Sequence, residues 1–289
     1  MTPRTRLRAA LADGELIVAP GIFDGISASL VSHLGFAAGY LTGAGVAASG
    51  FGLPDIGLVT QTEMAERARM VVRALGGVPL IADADTGYGA ALNVVRTVGE
   101  YEAAGVAAIQ LEDQAFPKKC GHLPDKELID AGEFVLKLRA ALDARTDPDL
   151  VVIARTDALG PLGLDAAIDR ANTYAEAGAD VIFVEAPRTT AEIERIAKEV
   201  SAPLLINLVI GGLTPLESSK RLADLGYAIA IHPLVPLGAA ALAMLAGLAE
   251  LAGKDPQPWV ASTPTEFFNL VGLAEWSEIG ARYRAEEGT

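Results

Sequence analysis

Short apolar runs alternate with longer amphipathic segments along most of the chain. The apolar runs are continuous, so we expect each to form a strand that is buried on both faces. The intervening segments repeat their apolar positions at helical spacing, and several end at a glycine, as helices commonly do. The expected strands are 17–20, 39–42, 79–85, 107–113, 151–157, 181–185, 203–209 and 229–234. The expected helices include 4–13, 27–34, 62–75, 91–104, 165–177, 190–200, 215–225 and a packed, alanine-rich helix at 238–251.

Eight strands alternating with helices predict a closed (β/α)8 barrel, the TIM barrel. An open doubly wound sheet is the alternative, although the chain lacks the glycine-rich fingerprint of dinucleotide-binding folds. We expect the barrel domain over residues 1–255 and a C-terminal helical extension over residues 256–289. The aromatic residues of the extension are expected to pack against the barrel exterior or a neighbouring subunit; they are Trp259, Phe267, Phe268 and Trp276.

One connection, residues 114–132, is longer than the others and contains Pro117 and Pro124. A long loop at the carboxyl end of a barrel strand is typical of a mobile cover over an active site, and we call this segment the lid. The lid contains Cys120 among two lysines and a histidine. Because nearby cations favour a thiolate, we expect this thiol to ionise readily. A basic surface turn with an inert cysteine is the alternative.

The composition narrows the classes of function. The net charge of −14 argues against a nucleic-acid partner, because a polyanion would be repelled. The single cysteine excludes an intrachain disulfide and suits a reducing compartment. No apolar run is long enough for a membrane span, and no apolar signal core follows the N-terminal arginines. We therefore predict a soluble, cytoplasmic protein without a membrane or nucleic-acid partner.

Acidic side chains close successive strands, at the end of a barrel where active sites lie. Asp83 and Asp85 share one face of their strand, and Glu112 and Glu185 close two later strands. Carboxylates that converge stay ionised only with a cation among them, and oxygen ligands suit Mg²⁺ or Mn²⁺ better than zinc. A single aspartate in such a place is as often a turn or cap residue, so the prediction rests on the whole set.

Two further features indicate a site for an anionic substrate. Arg155 ends an otherwise apolar strand, where an unpaired guanidinium is costly, and we expect it to bind a carboxylate through two hydrogen bonds. A structural ion pair with Glu185 or Asp157 is the alternative. The small residues 42–45 would let backbone amides approach an anionic group. His232 closes the eighth strand and is as readily structural as pocket-lining.

The segment Lys118-Lys119-Cys120-Gly121-His122 resembles the Lys-(Lys/Arg)-Cys-Gly-His signature of the isocitrate lyase/phosphoenolpyruvate mutase superfamily. The resemblance extends over nearly the whole chain. It implies a Mg²⁺-dependent lyase that cleaves a carbon–carbon bond of a 2-hydroxy or 2-oxo dicarboxylate. The implied chemistry is retro-aldol, through an enolate of a pyruvate-like product. It also implies a homotetramer built from helix-swapped dimers.

The same resemblance implies a role for each candidate residue. The expected catalytic residues are Cys120, Tyr40, Lys118 and His122. Cys120 protonates the carbanion after the lid closes, and Tyr40 is a candidate base by position only. The substrate-binding residues are Thr42, Gly43, Ala44, Gly121, Arg155, Glu185, Asn207 and His232. Asp83 and Asp85 hold Mg²⁺, with Asp55 and Glu112 in its water-mediated shell, and Mn²⁺ is the alternative ion.

Departures from the family pattern bear on the substrate. Gly238 stands where methylisocitrate lyases carry an arginine for a third carboxylate, and Ile210 replaces a usual glutamate. Segments 207–215 and 266–273 are closer to the 2,3-dimethylmalate lyase and oxaloacetate hydrolase branch. We therefore favour a 2,3-dimethylmalate-type substrate, with methylisocitrate, oxaloacetate and phosphonate chemistry as alternatives. A binding barrel with a decayed site is the non-enzymatic alternative, although none of the expected acids, nor the cysteine, is missing.

Overall fold

Eight parallel strands close into a barrel in the computed structural model, which describes residues 1–255 and 263–284. Each strand pairs with the next along the chain, and the eighth strand pairs with the first. The (β/α)8 barrel is therefore confirmed, and the open sheet is excluded. The strands are β1 Ile17–Ile22, β2 Gly39–Leu41, β3 Leu80–Asp83, β4 Ala108–Glu112, β5 Val151–Thr156, β6 Val181–Val184, β7 Leu204–Asn207 and β8 Tyr227–His232.

Helices surround the barrel and several begin at a side-chain cap. Thr60 and Glu63 form a capping box at the helix that begins at Gln61, and Thr189 and Glu192 form another at the helix that begins at Thr190. The helix expected at 215–225 begins only after Ser218, which accepts a hydrogen bond from Arg221 N. The helices are α1 Pro3–Asp13, α2 Gly25–His33, α3 Gly43–Val46, α4 Gln61–Leu75, α5 Ala91–Ala104, α6 Ala131–Ala144, α7 Leu159–Leu162, α8 Leu164–Glu176, α9 Thr190–Glu199, α10 Ser219–Asp224, α11 Val235–Leu251, α12 Pro264–Asn269 and α13 Leu273–Arg284, with a π-helical turn at Ala47–Phe51.

Alternate side chains of each strand divide the core into two layers. In β5, Val151 and Ile153 pack inside the barrel, whereas Val152 and Ala154 pack between the strands and the helices. This alternation follows from the period of two in an extended strand. It also fixes which polar residues at the strand ends face the barrel axis.

The C-terminal part of the described chain is mixed in burial. Phe267 and Phe268 are buried, with ring centroids 5.5 Å apart, as expected, whereas Trp276 is half-buried. Trp259 lies outside the described residues. Helix α11 forms where a helix was predicted. The prediction that this helix is packed is wrong for the single chain, because Leu248 is 64% exposed. Over the described residues, every helix is too short or too polar to cross a membrane.

Candidate active site

The alternation of side chains along each strand places the predicted polar residues at one end of the barrel interior. Ile153 of β5 faces the barrel interior, so Arg155, two residues further on, points to the same side. In four other strands, too, a polar residue at the strand end lies an even number of positions after a residue that packs inside the barrel. The side chains carried inward in this way are Asp83, Glu112, Glu185 and Asn207.

A cavity of about 40 Å³ lies among these strand ends and the lid. Most of the predicted site residues line it, which brings the strand-end groups and the lid groups together. They are Tyr40, Thr42, Ala44, Asp55, Asp83, Lys118, Cys120, Gly121, His122, Arg155 and Asn207. The wall also contains residues that were not predicted, namely Val209, Ile231, Pro233 and Leu234.

The aspartates predicted to bind a metal surround the Lys118 ammonium. Lys118 Nζ contacts Asp55 Oδ1 and lies 2.7 Å from Asp85 Oδ1. Asp83 lies beside them and accepts hydrogen bonds from Gly43 N at 3.3 Å and from Asp85 N at 3.1 Å. Burial raises the pKa of Asp85 to about 7, against the opposing effect of Lys118. Burial alone would lower the pKa of Lys118, but the carboxylates raise it well above its usual value.

The same residues have the chemistry of a site for a hard cation. They offer buried carboxylate oxygens, and Glu112 Oε1 is buried without a hydrogen-bond partner in the described part of the chain. Across residues 1–255 and 263–284, however, no three His, Cys, Asp or Glu side chains are arranged to hold a metal ion. The Lys118 ammonium supplies the positive charge among these acids instead.

Arg155 is held by carboxylates on several sides. Its Nε and Nη2 donate to Asp157 at 2.8 and 2.9 Å, and its Nε lies 3.4 Å from Glu112 Oε2. Glu185 Oε2 is 3.7 Å from Nη1, and the guanidinium carbon lies 5.1 Å from the centroid of the Phe183 ring. The ion pair with Asp157, named as the structural alternative, is thus present. It does not exclude substrate binding, because Arg155 also lines the cavity.

The lid connects β4 to α6, and its last two predicted residues already belong to that helix. Its base is closed by backbone hydrogen bonds from Ala115 N to Glu127 O and from Ile129 N to Asp113 O, at 2.8 and 3.0 Å. Gln114 bonds both backbone groups of Lys119 with its side-chain amide. The lid is therefore an ordered segment built on the end of β4.

His122 reaches from the lid to the opposite strands. Its Nε2 lies 3.4 Å from Glu185 Oε1 and 3.4 Å from Asn207 Nδ2, and its Nδ1 accepts from Leu213 N at 3.1 Å. Burial lowers the pKa of His122 although Glu185 opposes the shift. The imidazole thus acts as a neutral hydrogen-bonding group that joins the lid to β6 and β7.

Cys120 does not have the reactive thiolate that its neighbours in the sequence predicted. Burial raises the pKa of this thiol to about 12, and Asp55 adds to the shift. Lys118 opposes this shift only in part, because two aspartates engage its ammonium, and Lys119 Nζ donates to Asp125 O. The Cys120 thiol therefore keeps its proton, and the proton is available for donation.

Tyr40 also holds its proton. Burial, reinforced by the Asp83 carboxylate, raises the pKa of this phenol well above its usual value. The hydroxyl donates to Gln110 Oε1 at 3.0 Å, and Gln110 Nε2 lies 3.4 Å from Asp83 Oδ1. These contacts argue against Tyr40 as a base and favour a role in holding Gln110 and Asp83 in place.

His232 is the predicted site residue that the fold sets apart. Ile231 lines the cavity, so the next side chain along β8 points away from the barrel axis. His232 is half-buried, and burial lowers its pKa. The structure favours a structural role for this histidine.

A buried network behind Arg155 was missed in the sequence. Asp113 accepts from Thr156 Oγ1 at 2.7 Å, from Asp157 N at 2.9 Å, from Arg170 Nη1 at 2.9 Å and from Tyr174 Oη at 2.8 Å. Asp113 follows Glu112 directly and faces the helical layer instead of the cavity. Its strand-end position was a usable signal, whereas nothing in the sequence pointed to its partners.

The amino-acid sequence is similar to those of known enzymes. A sequence profile of the family described as phosphoenolpyruvate phosphomutase matches residues 7–252, so the chain belongs to this family. The 2,3-dimethylmalate lyase of Eubacterium barkeri is 45% identical over 98% of this chain and 99% of that protein. The chloroplastic carboxyvinyl-carboxyphosphonate phosphorylmutase of Arabidopsis thaliana is 42% identical over 97% and 84%. A 2-methylisocitrate lyase of Aeropyrum pernix is 41% identical over 99% and 93%.

Solved structures agree with these relatives. Oxaloacetate acetylhydrolase in complex with 3,3-difluorooxalacetate has a TM-score of 0.85 at 36% identity, covering 98% of this chain and 97% of that chain. Phosphonopyruvate hydrolase in complex with oxalate and Mg²⁺ has a TM-score of 0.76 at 32% identity, covering 98% and 99%. The predicted superfamily is confirmed, and named lyases stand among the most similar relatives.

Proposed function

We propose that this chain is a Mg²⁺-dependent lyase that cleaves the C2–C3 bond of a 2-hydroxy dicarboxylate, with a 2,3-dimethylmalate-type substrate favoured. One observation carries the proposal: Arg155, the acid cluster and the protonated Cys120 thiol meet around a single cavity. The cation can bind a substrate carboxylate, and the thiol can donate a proton to a carbanion. The 45% identity to a 2,3-dimethylmalate lyase over nearly the whole chain supports the same substrate class.

Asp83 and Asp85 would hold the Mg²⁺, with Asp55 and Glu112 in its water-mediated shell. The unpartnered Glu112 Oε1 and the buried aspartate oxygens support this assignment. Lys118 belongs to the lid, so movement of the lid would release Asp55 and Asp85 from its ammonium. The bound ion would stabilise negative charge that develops on the substrate, which is its usual contribution to such chemistry. The bound Mg²⁺ of phosphonopyruvate hydrolase agrees with this choice of metal.

Different residues would bind the two carboxylates of the substrate. Arg155 would hold the carboxylate at the pyruvyl end, in the orientation that Asp157 sets. The loop Thr42-Gly43-Ala44 would receive the second carboxylate. Gly43 suits this place because a side chain there would lie 2.8 Å from Asp83 Oδ2.

Cys120 would complete the reaction. Once a base has taken the hydroxyl proton, the C2–C3 electron pair moves to C3, and C2 becomes the carbonyl of a pyruvate-like product. The carbanion therefore belongs to the C3 fragment, where the adjacent carboxylate spreads its charge, and not to the pyruvate-like product to which the family resemblance assigned the enolate. Cys120 Sγ–H protonates it at C3. Because this thiol must stay reduced, we also propose a cytoplasmic location.

The test is turnover of candidate substrates by the purified enzyme with added Mg²⁺. We expect 2,3-dimethylmalate to give pyruvate, and we expect EDTA to abolish the reaction and Mg²⁺ to restore it. Cys120→Ala should lose turnover but still bind oxalate. Failure of 2,3-dimethylmalate, 2-methylisocitrate, oxaloacetate and phosphonopyruvate to react would favour a binding barrel with a decayed site.

A second candidate is hydrolysis of oxaloacetate. It is favoured by the structural match to oxaloacetate acetylhydrolase, whose TM-score is 0.85. Release of oxalate from oxaloacetate, at a higher kcat/KM than pyruvate release from 2,3-dimethylmalate, would select it. The same assay separates 2-methylisocitrate cleavage and phosphonate chemistry from both reactions, because each starts from a different substrate.

We further propose a homotetramer built from helix-swapped dimers. The support is the apolar exposed face of α11, which includes Met244, Leu248 and Leu251 at 58, 64 and 86% exposure. An apolar face of this kind is commonly covered by another subunit. Light scattering on the purified protein gives the number of chains.

A further inference from the structure

Lys126 is a lid residue that the proposed chemistry does not use, yet its side chain is only 6% exposed. Its Nζ donates to Asp157 Oδ1 at 2.8 Å and to Gly121 O at 2.7 Å. A buried ammonium requires such partners, because its desolvation is costly. The two acceptors belong to different parts of the site, since Asp157 follows β5 and Gly121 belongs to the lid.

Asp157 is a fixed anchor for this contact. It is fully buried, and its backbone N donates to Asp113 Oδ1 at 2.9 Å. Asp113 is itself held by Arg170 and Tyr174 of α8. The same Asp157 carboxylate receives both hydrogen bonds of Arg155. A lid cation and a cavity cation therefore share one rigid carboxylate.

Gly121 is the other acceptor, and it lies directly after Cys120. A side chain at Gly121 would overlap the Arg155 guanidinium and the Glu185 side chain, so the lid backbone is seated closely on both. The hydrogen bond from Lys126 to Gly121 O therefore fixes the lid at the residue next to the thiol. The position of Cys120 and the orientation of Arg155 are connected through one ammonium.

We propose that Lys126 is a positioning residue that holds the lid closed and, through Asp157, fixes the position of Cys120 relative to Arg155. This inference rests on the proposed function for its catalytic consequence, although lid closure itself can be measured without a substrate. Loss of the ammonium would leave Gly121 O without this partner and Asp157 without one of its two cations. The lid would then open more often, and Cys120 would become accessible to reagents.

The test is the rate at which iodoacetamide alkylates Cys120, the only cysteine, in Lys126→Met. We expect the rate to rise about tenfold or more, which corresponds to about 1.4 kcal/mol in an opening equilibrium. Lys119→Met is the matched control, because the Lys119 ammonium donates to Asp125 O of the lid and, among the described residues, to no other acceptor. We expect the control to alkylate at the wild-type rate. Circular dichroism and thermal unfolding establish that each variant is folded.

Kinetics separate positioning from a general structural effect. In Lys126→Met we expect kcat to fall about tenfold or more while KM changes less, because closure acts on the chemical step. Lys126→Arg should recover part of both effects, since its charge can still reach Asp157. Lys126→Gln provides the alkylation comparison if the methionine variant does not fold.

Two results would overturn the inference. One is a folded Lys126 variant whose Cys120 alkylates no faster than in Lys119→Met. The other is faster alkylation with kcat unchanged, which would leave Lys126 without a part in positioning. If no substrate is turned over by the wild-type protein, the proposed function fails, whereas the alkylation result still decides whether Lys126 closes the lid.

Discussion

The Cys120 thiol shows why charge near a residue in sequence does not determine its ionisation. Burial raises the pKa of this thiol to about 12, although two lysines stand next to it in the chain. Lys118 directs its charge to Asp55 and Asp85 instead. A protonated thiol is a poor nucleophile and a competent acid, which suits the donation of a proton to a carbanion.

This ionisation state predicts slow alkylation of the wild-type protein. At pH 8, iodoacetamide should modify native Cys120 more than about 100-fold more slowly than the urea-unfolded chain, because both thiolate fraction and access are reduced. The native rate should keep rising with pH to pH 10, whereas the unfolded rate levels off near the ordinary thiol pKa. Native and unfolded rates within about tenfold of each other would contradict the assigned thiol state.

Gly121 permits a second prediction at the scale of one residue. The added methyl group of Gly121→Ala would overlap the Arg155 guanidinium and Glu185, so the lid could not seat on them. We expect turnover to fall about 100-fold, the usual result of a misplacement of about 1 Å. Gly99→Ala in α5 is the control, because nothing lies within 4 Å of its added carbon. Equal activity of both variants would show that close seating of the lid is not required.

At the scale of the element, the alternation of side chains along a strand explains why the sequence predicted most of the cavity residues correctly. Ile81, Ile153 and Leu205 face the barrel axis, so the polar residues two positions later enter the cavity side by side. By the same rule, His232 follows the inward-facing Ile231, so its side chain points away from the axis. This alternation alone was enough to separate the histidine from the site. The contacts of Lys126 could not be predicted, because they depend on the path of the lid and not on a repeating pattern.

The buried Asp113 network predicts a stability effect behind β5. Asp113→Asn removes the charge that accepts hydrogen bonds from Arg170, Tyr174 and Thr156. We expect the free energy of unfolding to fall by about 2–3 kcal/mol, the value of a hydrogen bond to a charged group. Urea denaturation measures this loss. Asp169→Asn on the exposed side of α8 should change stability by less than about 0.5 kcal/mol, and a similar loss in both would contradict the role of the network.

At the scale of the whole molecule, the chain carries apolar surface that a single barrel leaves uncovered. Helix α11 contains one charged residue, Glu250, and only Leu237 is buried. Its alanine and leucine content predicted a helix correctly, but no sequence pattern says whether a helix packs on its own barrel or on another subunit. Oligomeric state was for that reason available only from the family resemblance.

The exposed face of α11 provides the last prediction, which tests the proposed assembly. Leu248→Glu combined with Leu251→Glu places two charges on side chains that are 64 and 86% exposed in the single chain, so the barrel itself should still fold. Buried between subunits, unpaired carboxylates would oppose association. We therefore expect light scattering to report a smaller species than the wild-type protein at equal concentration. Leu92→Glu, at a position 85% exposed on α5, should leave the mass unchanged. A folded α11 variant with the wild-type mass would show that this face is not an interface, and the apolar residues of α11 would then need another partner.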